Sequence, residues 1–104
     1  MINRVIISGI LVDEEVKLVK DQNKPNFSMA EAKLLTSNGK KDEIREVKIV
    51  LFNKLAQDLY DNQRKYKENL CIYYGEVVYN SNKNETKIKI NEPIQVLASV
   101  GDKI

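Results

Sequence analysis

The sequence predicts an all-β domain carrying a single helix. Three observations lead there. Stretches rich in Val, Ile and Leu recur at the length of strands, beginning with Val5-Ile-Ile-Ser-Gly-Ile-Leu-Val12. Polar clusters such as Asp21-Gln-Asn-Lys-Pro-Asn26 and Asn80-Ser-Asn-Lys-Asn84 separate them and read as turns. One segment, Lys54 to Tyr66, changes from a period of two to helical spacing.

Taken in order, residues 3–12 are apolar at almost every position, which fits a strand covered on both faces, with Gly9 marking a bend or close backbone approach. Asp13-Glu14-Glu15 interrupts it, and Val16 and Leu18 continue as an extension of period two. Phe27 to Leu35 forms a second strand. Phe27, Met29 and Glu31 share one face, and the small Ser28, Ala30 and Ala32 share the other, where they suit close packing. Residues 36–42 make a polar hairpin connection, with Gly39 available for positive φ. Glu43 to Phe52 is the third strand: Val47, Ile49 and Leu51 face the core, while Glu46, Lys48, Val50 and Phe52 face out.

Asn53 has the chemistry of an N-cap. Behind it Leu55, Ala56, Leu59, Tyr60 and Tyr66 give the helix one apolar stripe. Leu70 to Tyr79 is the fourth strand, interrupted by Gly75. Glu85 to Asn91 is the fifth, with Ile88 and Ile90 inward and Lys87 and Lys89 outward. Pro93 ends that ladder, and Ile94, Val96 and Leu97 offer a last apolar segment. Three strands, a helix and two strands around one small core is the order of the OB-fold. That fold is a five-stranded Greek-key barrel with its helix between strands 3 and 4. With 104 residues the chain fits a single domain, assigned to residues 1–98, followed by a short end at 99–104.

Composition narrows the function. The chain has no His and one Cys, so the commonest general base is missing and a structural zinc site is excluded by arithmetic. No Gly-rich phosphate loop, nucleophile elbow or paired carboxylate site is present, so neither an enzyme, a cofactor nor a small-molecule substrate is expected. Cys71, between Leu70 and Ile72, reads as an inert buried thiol, and the expected setting is a reducing cytoplasm. No leader or membrane span is expected. Seventeen basic residues oppose 15 acidic ones, so any polyanion must meet a local cluster rather than a global field. Only Arg4, Arg45 and Arg64 could offer a bidentate fork to phosphate.

Several pieces of the chain resemble the bacterial single-stranded DNA-binding protein family. They are the opening Met1-Ile-Asn-Arg-Val-Ile-Ile-Ser-Gly-Ile-Leu11, then Phe27-Ser-Met-Ala30, Val50-Leu-Phe-Asn-Lys-Leu-Ala56 and Tyr73-Tyr-Gly-Glu76. At Asn53 that family usually has Gly. The resemblance implies an OB-fold homo-oligomer, dimer or tetramer, that holds single-stranded DNA without strict sequence preference and serves DNA replication. Bases would stack on aromatic rings and lysines would meet phosphates. Phe52 falls on a stacking position of the family, whereas Glu46, Leu35 and Asn82 fall at or near positions where it has further aromatics. The family's acidic, aromatic-ended tail has no counterpart in Val100-Gly-Asp-Lys-Ile104, so tail-dependent recruitment is not expected.

The candidate nucleic-acid contacts are therefore Phe52, Tyr79 as a local substitute ring, and Lys48, Lys40, Lys41, Lys87 and Lys89. Each has a plainer reading: Phe52 could cover the helix start, and alternating lysines protect an exposed strand edge. The alternative function is an assembly or protein-interaction module, a replication accessory, that kept the fold and lost the binding surface. The two-faced apolar character of residues 3–12 points to a subunit interface.

Overall fold

The computed structural model describes residues 3–12, 15–37 and 44–99. Seven strands and two helices follow one another as β1 (Val5–Leu11), β2 (Lys17–Asp21), β3 (Lys24–Ser37), β4 (Ile44–Phe52), α1 (Asn53–Asp61), α2 (Gln63–Glu68), β5 (Asn69–Asn80), β6 (Glu85–Ile90) and β7 (Gln95–Ser99). Five of the strands close into a ring in the order β1-β3-β4-β6-β5, with β5 returning to β1. Closure leaves no open edge in the ring. β1 achieves it by serving two neighbours: residues 5–9 pair with β5, while Ile10 and Leu11 pair with β3. Gly9 stands at that switch, where a Cβ would lie 2.8 Å from the Leu35 carbonyl oxygen. The Val16–Leu18 extension is realised as β2, flanking β3, and the last apolar segment as β7, flanking β5.

The interior follows the period-two pattern. Ala30, Ala32 and Leu34 of β3, Ile49 and Leu51 of β4, and Ile88 and Ile90 of β6 are buried together. Ala56 and Leu59 of α1 and Tyr66 of α2 join the same cluster. The small Ala30 and Ala32 leave room for α1 over β3. Each buried aliphatic side chain contributes about 1.5–3 kcal/mol by leaving water.

Two expectations are corrected by the fold. The helical segment over 54–66 is two helices rather than one. They part at Asn62 (φ −118°, ψ 23°), whose side-chain amide donates to the Asp58 carbonyl at 3.1 Å and to its carboxylate at 2.9 Å. Asn competes with the backbone for such carbonyls, and the helix breaks there. The break turns Tyr66 inward, where its hydroxyl donates to the second Asp58 oxygen at 2.5 Å. Tyr60, placed with the same stripe, is instead exposed.

β1 is covered on one face only. Val5, Ile7 and Leu11 face the core, whereas Ile6 is 61% exposed. A small barrel has one interior, and no second layer of the described residues lies over β1. At the start of β1, the Asn3 side chain behaves as one more strand residue. Its amide donates to the Val77 carbonyl at 2.9 Å, and its oxygen accepts from the Val77 N–H at 3.0 Å, prolonging the β1–β5 ladder.

Candidate nucleic-acid interface

The outward face of β2, β3, β4 and β6 forms one continuous surface whose composition is set by register. β3 and β4 pair Met29 with Phe52, Glu31 with Val50, Lys33 with Lys48 and Leu35 with Glu46. β4 and β6 run parallel and place Val50 beside Lys89. β2 adds Val19 beside Met29 and Lys17 beside Glu31. Phe52, Val50, Met29 and Val19 thus make an apolar strip, in which Val50 is buried rather than open to solvent, bordered by alternating lysines and glutamates.

Phe52 is half-buried at the lower end of that strip. The Phe27 ring stands 6.0 Å away, centroid to centroid, tilted by 50°. The Lys89 ammonium lies 5.5 Å from the Phe52 centroid and the Lys24 ammonium 5.9 Å from that of Phe27. Phe27 is the residue that sequence reasoning passes over. Its outward phase is legible, but its neighbour depends on the pairing of Met29 with Phe52, which no local pattern discloses.

The strand-to-helix passage after Phe52 is tight, and it corrects the expected cap. Asn53 is the first helical residue, not the cap, and has φ 54°. Phe52 occupies the cap position with extended backbone and makes no side-chain capping bond. The Asn53 side-chain oxygen instead accepts the Ser28 N–H at 3.2 Å, and the Ser28 hydroxyl donates to the Asn53 carbonyl at 3.3 Å. A left-handed backbone excludes most side chains and tolerates Gly and Asn, the two residue types at issue here.

Carboxylates neutralise most lysines of the upper strip. Lys48 reaches Glu85 at 2.8 Å, Lys87 reaches Glu31 at 2.9 Å and Glu85 at 3.6 Å, and Lys33 reaches Glu46 at 3.3 Å. The Lys48 hydrogen bond holds the Glu85 carboxyl below the usual carboxylate range, and the Glu31 hydrogen bond raises Lys87. Glu46 therefore serves as an ion partner where an aromatic ring would have offered a stacking face. Lys89, by contrast, has no carboxylate within ion-pair distance among the described residues.

Phe52, Lys48, Lys87 and Lys89 are thus brought together on one face. Tyr79 is not with them. It pairs with Thr86 on the opposite face of the β5–β6 hairpin, 58% exposed, and its hydroxyl donates to the Asn84 side-chain oxygen at 2.6 Å. Lys40 and Lys41 lie outside the described residues. Tyr73 and Tyr74 point to opposite faces: Tyr73 is buried, and Tyr74 lies outward with the Arg4 guanidinium 5.7 Å from its ring. Cys71 is buried, and burial raises its thiol pKa. Among the described residues no group of three or more His, Cys, Asp or Glu could hold a metal ion. No helix there is long and apolar enough to cross a membrane.

A closed five-stranded ring with its helical segment between the third and fourth ring strands defines an OB-fold barrel. More particularly, the fold is similar to the SSB domain of a Synechococcus protein, with a TM-score of 0.70 and 20% identity over 91% of this chain and 96% of that one. It is also similar to a deletion mutant of the single-stranded DNA binding protein from Thermus aquaticus, with a TM-score of 0.73 and 13% identity over 94% of this chain and 42% of that one. No protein-family model matches the sequence, and no curated protein does.

Proposed function

We propose that this chain is a divergent member of the single-stranded DNA-binding protein family and binds single-stranded DNA on the outward face of its barrel. The observation that carries the reading is the half-buried Phe52 ring with the Lys89 ammonium over it, set in an SSB-type barrel. An unpaired base has a π-face whatever its identity, so stacking on Phe52 is tolerant of sequence and contributes about 1–3 kcal/mol. The arriving base displaces the Lys89 ammonium, whose flexible stem can follow to the adjoining phosphate. Lys48 and Lys87 can meet phosphates only by giving up Glu85 and Glu31. That exchange makes binding modest, and the phosphate contacts themselves make it weaken with salt. A strand rounding the tip of the β5–β6 hairpin meets Tyr79 on its opposite face, and Lys40 and Lys41, between β3 and β4 in the chain, add phosphate contacts.

Binding rather than catalysis is the role proposed, in a reducing cytoplasm that suits the single thiol. Copies of the chain meet through the outward face of β1 and β5, where Ile6 lies beside Tyr74. Light scattering at micromolar concentration tests this, and a strict monomer refutes it. A second reading, an assembly module without nucleic-acid affinity, is favoured by one observation: the ion-paired lysines of the upper strip. Titration of a labelled oligothymidylate at low and moderate salt separates the two. Saturable binding that falls steeply with salt and weakens on Phe52→Ala supports DNA binding. Absence of binding at low salt refutes it and leaves the assembly module.

A further inference from the structure

We infer that the polynucleotide path leaves the sheet past Phe27 and enters a cleft between the β2–β3 hairpin and the start of α1, where Phe27 is a second stacking ring and Lys20 and Lys54 take phosphates. The inference rests on the DNA-binding reading above and names its next subsite. The Phe27 ring borders both surfaces. On one side it stands against Phe52, and on the other it lines a cleft of ≈ 450 Å³ together with Lys20, Ser28, Asn53 and Lys54. That volume falls within the range of small-ligand sites. Ser28 and Asn53, both in its lining, are joined by reciprocal side chain-to-backbone hydrogen bonds that tie β3 to the start of α1.

Charge selects the occupant. On the upper strip Lys33, Lys48 and Lys87 already hold carboxylates. Around the cleft Lys20, Lys24 and Lys54 have no carboxylate within ion-pair distance among the described residues. An apolar partner would leave three ammonium groups desolvated and unpaired, which is costly. A free anion would leave the Phe27 face unused. A single strand uses both, with bases against the ring and phosphates against the lysines. Lys20 pairs with Ser28 on the inner phase of β3, whereas Phe27 is on the outer phase, so the nucleic acid rounds the hairpin at its Gln22–Asn23 turn.

The test uses the full chain and labelled oligothymidylate, with Phe27→Leu, Lys20→Gln/Lys54→Gln and Phe52→Ala compared with wild type across a salt series. Phe27→Leu keeps an apolar group against Phe52, and its thermal midpoint serves as the folding control. The expected results are an affinity loss of about tenfold for Phe27→Leu and a log-affinity-versus-log-salt slope shallower by about 1.4 for the double lysine variant, from ~0.7 per phosphate contact. Photocrosslinking of a 5-iodouracil oligonucleotide to Phe27, read by mass spectrometry, is the direct signature. If wild type binds and Phe52→Ala weakens it, but the other variants match wild type and no crosslink maps to Phe27, the cleft is overturned and the DNA-binding reading stands. If wild type binds nothing at low salt, both fall. Polyglutamate capture that the lysine variant abolishes, with oligothymidylate binding unchanged, assigns the cleft to an acidic protein segment and overturns the inference.

Discussion

Asn53 can be replaced in a way that separates backbone strain from a lost hydrogen bond. It holds φ 54° at the junction of β4 and α1, directly after the proposed stacking ring. A residue with a Cβ in that region costs roughly 1–2 kcal/mol, more when β-branched. The Asn53 side chain also accepts the Ser28 N–H, a solvent-exposed bond placed at the lower end of about 0.5–1.5 kcal/mol. Asn53→Gly removes the bond but not the fit, so it should cost no more than about 1 kcal/mol. Asn53→Ala removes the bond and meets the strain, for about 2 kcal/mol, and Asn53→Val should cost about 3 kcal/mol. With roughly 4–8 °C per kcal/mol for a domain of this size, the Gly and Val variants should melt about 10 °C or more apart. Urea titrations followed by circular dichroism measure the same order, with unchanged m-values. Equal losses for Gly and Val would mean that the side-chain bond, not the backbone, governs this junction, and the strain argument would fail.

Four further outcomes are expected. Tyr73 is 1% exposed, and its hydroxyl has no hydrogen-bond partner among the described residues, so Tyr73→Phe should raise stability by about 1–2 kcal/mol; a lower melting temperature would reveal a partner for that hydroxyl. A Cβ at Gly75 would run into the Lys89 carbonyl oxygen and stand 3.0 Å from the Ile88 Cγ2 atom, so Gly75→Ala should destabilise by roughly 1–3 kcal/mol or more; an unchanged urea midpoint contradicts this packing. Glu85→Gln releases Lys48 and removes one of two carboxylates from Lys87, and should steepen the salt dependence of oligothymidylate binding by about 0.7 per lysine that then meets a phosphate. The same pair gives a pH expectation. With Glu85 lowered and Lys87 raised, the ion pairs persist from mildly acid to mildly alkaline solution, and the chain has no His to titrate between. The Glu85 contribution is present above the ordinary carboxylate pKa and is lost only as pH falls through its depressed folded value. Affinity should therefore be flat around neutrality, and a titration midpoint there would refute the assignment.

Local periodicity alone determined much of this protein. Alternation told which side of each strand is apolar, and so assigned Phe52, Lys48, Lys87 and Lys89 to outward faces by phase. The switch to helical spacing after Phe52 located the helical segment, though not its break at Asn62, which arises from one side chain folding back on Asp58. Tertiary structure decided the rest, because register and charge pairing join residues that are distant in sequence. The pairing of Met29 with Phe52 brings Phe27 to the site, and Glu31 and Glu85 arrive at Lys87 and Lys48 from other strands. Tyr79 continues an alternation that was readable, but the closing of the ring made its face the one opposite Phe52. For β1, an unbroken apolar run recorded that both faces shun water. Only the folded chain revealed that its own core covers one of them, since what lies over a strand is a property of the whole assembly of elements and never of the strand itself.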